Sequence, residues 1–391
     1  MKGMDFIMKQ EILKPNYNHS ILNLITSILN NYGAKNNHDT LPVLDKILEK
    51  KYKNVVLVIL DGMGTNVLKS VSENGIFSNH AIDTLTSVFP CTTTAALTTY
   101  YSGKAPIETA WIGWSQYFKE YGRAIDMLPY IDSYTGEQLP RDKFDVYKDL
   151  EYVTTYEQIE KASPNVKTYE IKPAHCEMKT EKCIHIHSLE GFCDSIETLC
   201  RNNEDKYVFA YFDSPDSINH KHGCDSKETK EFILKAEKLF KKLENDLKGT
   251  DTLIIMSADH GHNNIHKTFN MMELNDLQEC LYIPPFLEPR FISFFVKQDK
   301  KDIFVSKFNE KFGEDFILYK KQEFLDSNLM GYGTPHRKID DFIGDYIAIS
   351  VSDVEIKLGT YMSEDCNPKL SDHCGLTKNE MEVPLIVFDL K

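Results

Sequence analysis

The chain reads as an α/β protein built on a mostly parallel sheet, and three segments carry that reading. Val55–Leu60, Tyr207–Phe212 and Leu253–Met256 are short, continuous apolar runs of four to six residues, the pattern of strands buried on both faces. Each ends at or near a carboxylate: Asp61, Asp213 or Asp259. Between the last two lies Lys227–Leu247, whose apolar residues recur at helical spacing in a charged background. Alternating strands and amphipathic helices indicate an α/β sandwich.

In chain order, residues 1–50 are expected to form a helical extension, with helices over 18–31 and 41–50 joined by the polar stretch Asn31–Asp39. Residues 51–275 and 341–391 are assigned to the core, with an excursion within 104–200. The tail supplies two further strands, Tyr346–Val351 and Val383–Asp389. Residues 276–340 read as a small α+β insertion capping the site: a strand over Arg290–Lys297, a helix over Asp302–Phe312 and a short strand over Phe316–Tyr319.

Composition narrows the functional classes. The 391 residues, 41% of them apolar, suffice for a sizeable core. Lys and Arg number 45 against 59 Asp and Glu, a net charge of −14, which argues against a surface that coats nucleic acid. A small phosphorylated substrate is compatible with that charge if bound cations reverse it locally. No apolar run approaches the roughly 18 residues of a membrane span, and Met1–Lys14 lacks the apolar block of a secretion signal. Nine cysteines without regular spacing fit free thiols in a reducing compartment, so the expected location is the cytoplasm.

The loops beyond the strands carry the chemistry, because ligands of open α/β sheets bind at the carboxyl ends of the strands. Asp61-Gly62 taken alone is ordinary turn chemistry. Asp216 and His220 are four apart, so one helical turn puts a carboxylate and an imidazole on one face, half of a site for zinc or a similar ion. Asp259-His260-Gly261 places two ligand-type residues directly after the third strand. Thr92, Thr93 and Thr94 precede Ala95-Ala96-Leu97, which reads first as helix capping. A hydroxyl at a helix N-terminus also sits where anions are favoured, and a metal could activate it as a nucleophile.

Together these segments resemble the alkaline phosphatase superfamily, most closely its type I phosphodiesterase/nucleotide pyrophosphatase branch. The matching pieces are Leu60-Asp61-Gly62-Met63-Gly64, Phe89-Pro90 with the threonines, Pro215-Asp216 with Asn219-His220-Lys221-His222-Gly223, Asp259-His260-Gly261, and Asp372-His373-Cys374-Gly375. Any one is unspecific; their order across residues 55–388 is specific. The resemblance implies a three-layer α/β/α sandwich and two divalent ions, zinc or else manganese. It implies that Asp61, Asp259 and His260 hold one ion, and Asp216, His220 and His373 the other. The nucleophile oxygen would be shared by both. In the superfamily the nucleophile precedes a glycine at the end of the following helix by ten positions; counting back from Gly103 gives Thr93, with Thr92 and Thr94 as alternatives.

The implied reaction is hydrolysis of a phosphate diester or pyrophosphate through a phosphothreonine. The rivals are a phosphomonoesterase and a phosphomutase. Cys91 is followed by Thr92-Thr93-Thr94, which departs from the Cys-x-Pro-x-Arg motif of the superfamily's sulfatases. Where nucleotide pyrophosphatases carry a phosphoryl-contacting asparagine, this chain has Ala110-Trp111-Ile112-Gly113-Trp114-Ser115. Trp111 and Trp114 are candidates to stack on a nucleotide base. Lys221 and Arg337 are candidates to contact the substrate, and His262 to support a ligand. Cys183, His185 and His187 share one face of an expected strand near His175 and Cys176, but their spacing matches no common zinc module.

Overall fold

In the computed structural model of the protein, residues 10–71, 74–360 and 369–391 are described; residues 1–9 of the expected N-terminal extension lie outside them. The three apolar runs are adjacent strands of one sheet. Its order is Ala81–Thr86, Glu382–Asp389, Thr252–Ser257, Asn54–Leu60, Lys206–Phe212, Lys167–Pro173 and Cys183–Ile186. All pairings run parallel except those of Glu382–Asp389, which is antiparallel to both neighbours. Asn54–Leu60 is buried along its whole length, which explains why its sequence shows no alternation.

Helices cover both faces. On one, Lys227–Leu247 packs against Leu189–Arg201, Thr65–Val71 and Ile76–His80. Its buried stripe runs through Ile233, Ala236, Phe240, Leu243 and Leu247, and its N-terminus is capped by Ser226 Oγ, which accepts from Thr229 N at 3.1 Å. On the other, Ile21–Asn31 packs against Pro42–Leu48, Thr93–Ser102 and Thr155–Ala162. The N-terminal helices thus belong to a layer of the sandwich. Pro42 opens the second of them, where its missing N–H has no partner to lose.

A second sheet differs from the sequence reading in its extent. Its order is Phe316–Lys320, Tyr346–Ser350, Phe291–Phe294, Phe286–Glu288, Ser115–Phe118, Arg123–Asp126 and Ile131–Asp132, antiparallel throughout. Tyr346–Ser350, expected among the core strands, pairs here instead. It is buried on both faces, so its apolar pattern does not reveal which sheet it joins. The stretch within 104–200 supplies three of the strands. Helix Lys301–Phe312 seals the far end, with Phe304, Phe308 and Phe312 in a separate core beside Phe294, Phe316 and Tyr346.

Candidate metal centre

Strand register brings the site together. Leu60 lies opposite Phe212, and Ile59 opposite Ser257, so three neighbouring parallel strands end level and their next residues share one rim. Asp216 N donates to Asp61 O at 2.9 Å, tying the first two loops. Gly62 N donates to Asp259 Oδ1 at 3.0 Å, tying the first and third. Gly62 has φ +69°, and a Cβ there would lie 2.8 Å from the His262 ring and 2.9 Å from Asp216 Cα. This position requires glycine both for its conformation and for the close approach of the loops.

Asp61, Asp259 and His260 converge. His260 Nδ1 lies 3.0 Å from the carbonyl oxygen of Gly261, which can only accept, so Nδ1 carries the proton and Nε2 presents a lone pair. That lone pair lies 3.4 Å from Asp61 Oδ1 and 3.4 Å from Asp259 Oδ2. Both carboxylate oxygens are buried and have no hydrogen-bond partner. Three acceptors facing one another in a buried site are repulsive unless a cation sits among them. Burial, with Asp259 and Asp216 nearby, raises Asp61 well above the usual carboxylate range. Tyr211 donates its hydroxyl to Asp61 Oδ2.

The second group is Asp216, His220 and His373. Asp216 and His220 lie on helix Asp216–His222. His373 arrives from the C-terminal segment, where Ser371–Asp372 pairs antiparallel with Asn263–Asn264. His220 Nδ1 donates to Ser371 O at 2.8 Å and His373 Nδ1 to Cys91 O at 3.2 Å. Their Nε2 atoms therefore turn toward Asp216 Oδ1, at 3.3 and 3.7 Å. Each group of three ligand atoms falls within 4.8 Å. Carboxylate oxygens with imidazole nitrogens are a donor set that suits zinc or manganese.

His262 supports this arrangement. Its Nε2 lies 2.7 Å from Asp216 Oδ1, and its Nδ1 3.2 Å from Ser371 Oγ. Burial pushes the ring down to about 4, so it is neutral at pH 7. The outer hydrogen bonds of a metal site orient its ligands in this way. His260 and His262 also form a ligand-atom group with Asp216.

The three threonines occupy different environments. Thr92 precedes the buried helix Thr93–Ser102, and its hydroxyl donates to Glu288 Oε1 at 2.7 Å. Thr94 Oγ1 is buried without a partner. Thr93 Oγ1 lies 3.2 Å from His260 Nε2, in the first turn of the helix, where backbone N–H groups lack intrahelical acceptors. Gly103 ends the helix at φ +68°.

Two cavities flank Thr93. The larger, about 510 Å³, is lined by Trp111, Trp114, Tyr147 and Tyr152 with Lys172 and Lys179. The smaller, about 320 Å³, lies on the side of His220 and His373. Thr93, Trp114 and Asp216 border both. Trp111 is held by its indole N–H, which donates to Leu150 O at 3.2 Å. Lys221 and Arg337 line neither. Lys221 is exposed, and Arg337 is paired with Asp149 at 2.5 Å on the surface. Cys183 and His185 lie on the outermost strand of the main sheet, and His175 pairs with Asp213 at 3.3 Å. Among the described residues none of these three joins a group of ligand atoms.

The sequence reading did not single out Tyr211 or Glu288. Tyr211 alone carried a signal, one residue before the end of a strand whose next loop bears ligands. Glu288 and the buried pair Arg290–Glu380 lie in segments without a ligand-type motif.

Residues 55–350 match the profile of the family described as type I phosphodiesterase / nucleotide pyrophosphatase. The chain belongs to this family. It is a phosphoester hydrolase, as the sequence resemblance implied. The fold is similar to that of human ectonucleotide pyrophosphatase/phosphodiesterase 5, with a TM-score of 0.62 at 15% identity, covering 85% of this chain and 87% of that one. The mouse protein, in an inactive threonine-to-alanine form in complex with AMP, gives 0.59 at 14% identity over the same shares. Phosphonoacetate hydrolase from Sinorhizobium meliloti 1021, in complex with phosphonoacetate, gives 0.60 at 16% identity, covering 85% and 89%. Among curated proteins no sequence match was found. No helix among the described residues is long and apolar enough to cross a membrane.

Proposed function

We propose that the protein hydrolyses phosphate diester or pyrophosphate bonds by two in-line displacements, with Thr93 as the nucleophile. The observation that carries this reading is Thr93 Oγ1, 3.2 Å from His260 Nε2, where two cation-ready ligand groups meet. Asp61, Asp259 and His260 would hold one divalent ion, and Asp216, His220 and His373 the other, zinc or manganese. Such ions lower the pKa of a coordinated hydroxyl and offset charge that builds on the phosphoryl oxygens.

The chain's own residues do the rest. Thr93 Oγ attacks phosphorus opposite the leaving oxygen, the bond to that oxygen breaks, and a phosphothreonine forms. Water then attacks phosphorus, the bond to Thr93 Oγ breaks, and the hydroxyl is restored. Tyr211 steadies Asp61 through its hydrogen bond. The Nδ1 contacts of His220, His260 and His373 fix the direction in which each ring presents Nε2. The first-turn N–H groups of helix Thr93–Ser102 face the anion.

The aromatic walls of the larger cavity support a planar organic group on the phosphoryl, with Trp111 and Trp114 as its stacking partners. The AMP complex of the mouse relative favours a nucleotide as that group. Lys221 and Arg337 are left out of the proposed contacts because they lie on neither cavity wall.

The test is a substrate panel with zinc and with manganese: bis(p-nitrophenyl) phosphate, p-nitrophenyl phosphate and a nucleotide pyrophosphate. The diester or the pyrophosphate is expected to turn over fastest. Monoester turnover far above both would replace this reading with a phosphomonoesterase.

A further inference from the structure

The reaction at Thr93 gives no part to a row of charges along the wall of the larger cavity. Two segments far apart in the chain form much of that wall. Leu128, Pro129 and Tyr147 come from one, and Lys172, Glu177 and Lys179 from the other. The first is braced by Tyr147, whose hydroxyl donates to Met127 O at 2.5 Å. The second is braced by Glu170, a fully buried residue of strand Lys167–Pro173. Glu170 Oε1 accepts from the Tyr101 hydroxyl at 2.9 Å and pairs with Lys172 Nζ at 2.8 Å. Its Oε2 accepts from Lys179 N at 2.9 Å.

Arg141 joins the two segments. Its Nη1 donates to Glu177 Oε1 at 2.5 Å. Among the described residues this is the only hydrogen bond between residues 127–149 and 172–182. The Arg141 guanidinium also stands over the rings of Tyr130 and Tyr147, 4.4 and 4.6 Å from their centroids. Glu177 Oε2 in turn faces Lys179 Nζ at 3.3 Å. Lys179 Nζ stands over Trp111 and Tyr147 at 5.8 and 5.2 Å, and the Trp111 and Tyr147 rings are 5.1 Å apart. Arg141 itself is half exposed and lines neither cavity.

We propose that Arg141 is a positioning residue of the larger cavity: it clasps the two segments, so that Tyr147 and Lys179 stay packed on Trp111 and the wall meets the planar group already formed. An exposed ion pair alone contributes little. The two ring faces beside the guanidinium add a second attraction and hold its plane. The tie is too weak to carry the fold, but it spares the ligand the cost of ordering the wall, and that gain appears in binding. The effect on turnover rests on the reading that a planar organic group occupies this cavity; the clasp does not.

The two can be tested separately on the metal-loaded protein. Trp111 and Trp114 are the chain's two tryptophans and both line this cavity, so their fluorescence reports on its wall with no ligand present. Arg141→Met is expected to raise the Stern–Volmer constant for acrylamide quenching at least about twofold, as the segments part locally. Arg141→Lys keeps the charge and should return quenching close to that of the unsubstituted protein. With the p-nitrophenyl ester of thymidine 5′-phosphate, Arg141→Met should raise KM about tenfold and change kcat less than about twofold, the mark of lost binding alone. Glu177→Gln cuts the same bond from the other side and serves if Arg141→Met fails to fold. Quenching that the substitution leaves unchanged would overturn the clasp, as would equal quenching in Arg141→Met and Arg141→Lys. A fall in kcat at constant KM would overturn its role in binding. Increased quenching in Arg141→Met, with no ester hydrolysed by the unsubstituted protein, would leave the clasp standing and sink the proposed reaction instead.

Discussion

Thr92, Thr93 and Thr94 look alike in sequence, yet each hydroxyl has a different chemical setting. Thr92 is held by Glu288, Thr94 is enclosed, and Thr93 alone faces the ligand groups. A count along the helix from Gly103 points to Thr93, and the stretch counted, Thr93–Ser102, is one unbroken helix. Thr93→Ala is expected to lower kcat/KM by at least about 1000-fold, the scale of losing a covalent nucleophile. Metal content by mass spectrometry should remain close to that of the unsubstituted protein; retained activity would move the nucleophile to a neighbour. Tyr211→Phe removes the only hydroxyl that donates to Asp61 Oδ2 among the described residues. It should weaken metal affinity about tenfold, as loss of an outer hydrogen bond does elsewhere, and chelator competition would measure it. An unchanged affinity would mean that Tyr211 does not orient Asp61. The proposed ligands were legible in sequence because chemistry favours Asp and His in loops beyond strand ends for that role. Tyr211 and Glu288 were not, since Tyr and Glu also serve packing and solvation.

At the scale of elements, the three apolar runs announced the central strands, because a strand buried on both faces leaves little room for polar residues. The second sheet was less visible. It joins Ser115–Phe118 to Phe286–Glu288 through a single register pair, Leu287 opposite Ser115, and no local pattern encodes a partner so distant in sequence. The same sheet anchors His373. Arg290, between two of its strands, meets Glu380 in a bidentate pair at 2.6 and 2.8 Å. Glu380 in turn accepts from Gly375 N at 2.7 Å and Thr377 Oγ1 at 2.6 Å, fixing the turn just after His373. Both side chains are fully buried. Glu380→Ala leaves Arg290 unpaired in the interior and should destabilise the protein by about 3–5 kcal/mol. Denaturant unfolding would measure that loss, and metal content should fall with it. A loss below about 1 kcal/mol would show that water or another group reaches Arg290.

Across the whole molecule, the net charge of −14 gave no hint of how the charge is arranged. Asp61, Asp216 and Asp259 are gathered with four histidines at one end of the sheet, while the remaining acidic residues largely face solvent. Cations held there, as proposed, would contribute to stability as well as to chemistry. At a hundredfold excess over the dissociation constant one ion adds about 2.7 kcal/mol. Removing metal with a chelator should abolish activity and lower Tm, and zinc or manganese should restore both. A Tm that does not respond to the chelator would mean that the folded chain carries these carboxylates without cations.

The central claim is a double displacement through Thr93, and the stereochemical course at phosphorus tests it most directly. A diester made chiral at phosphorus with sulfur and an oxygen isotope would be hydrolysed and its product configuration determined. Attack by Thr93 followed by attack of water inverts phosphorus twice, so the expected result is net retention. Net inversion would mean that water attacks the substrate directly, and it would contradict the phosphothreonine.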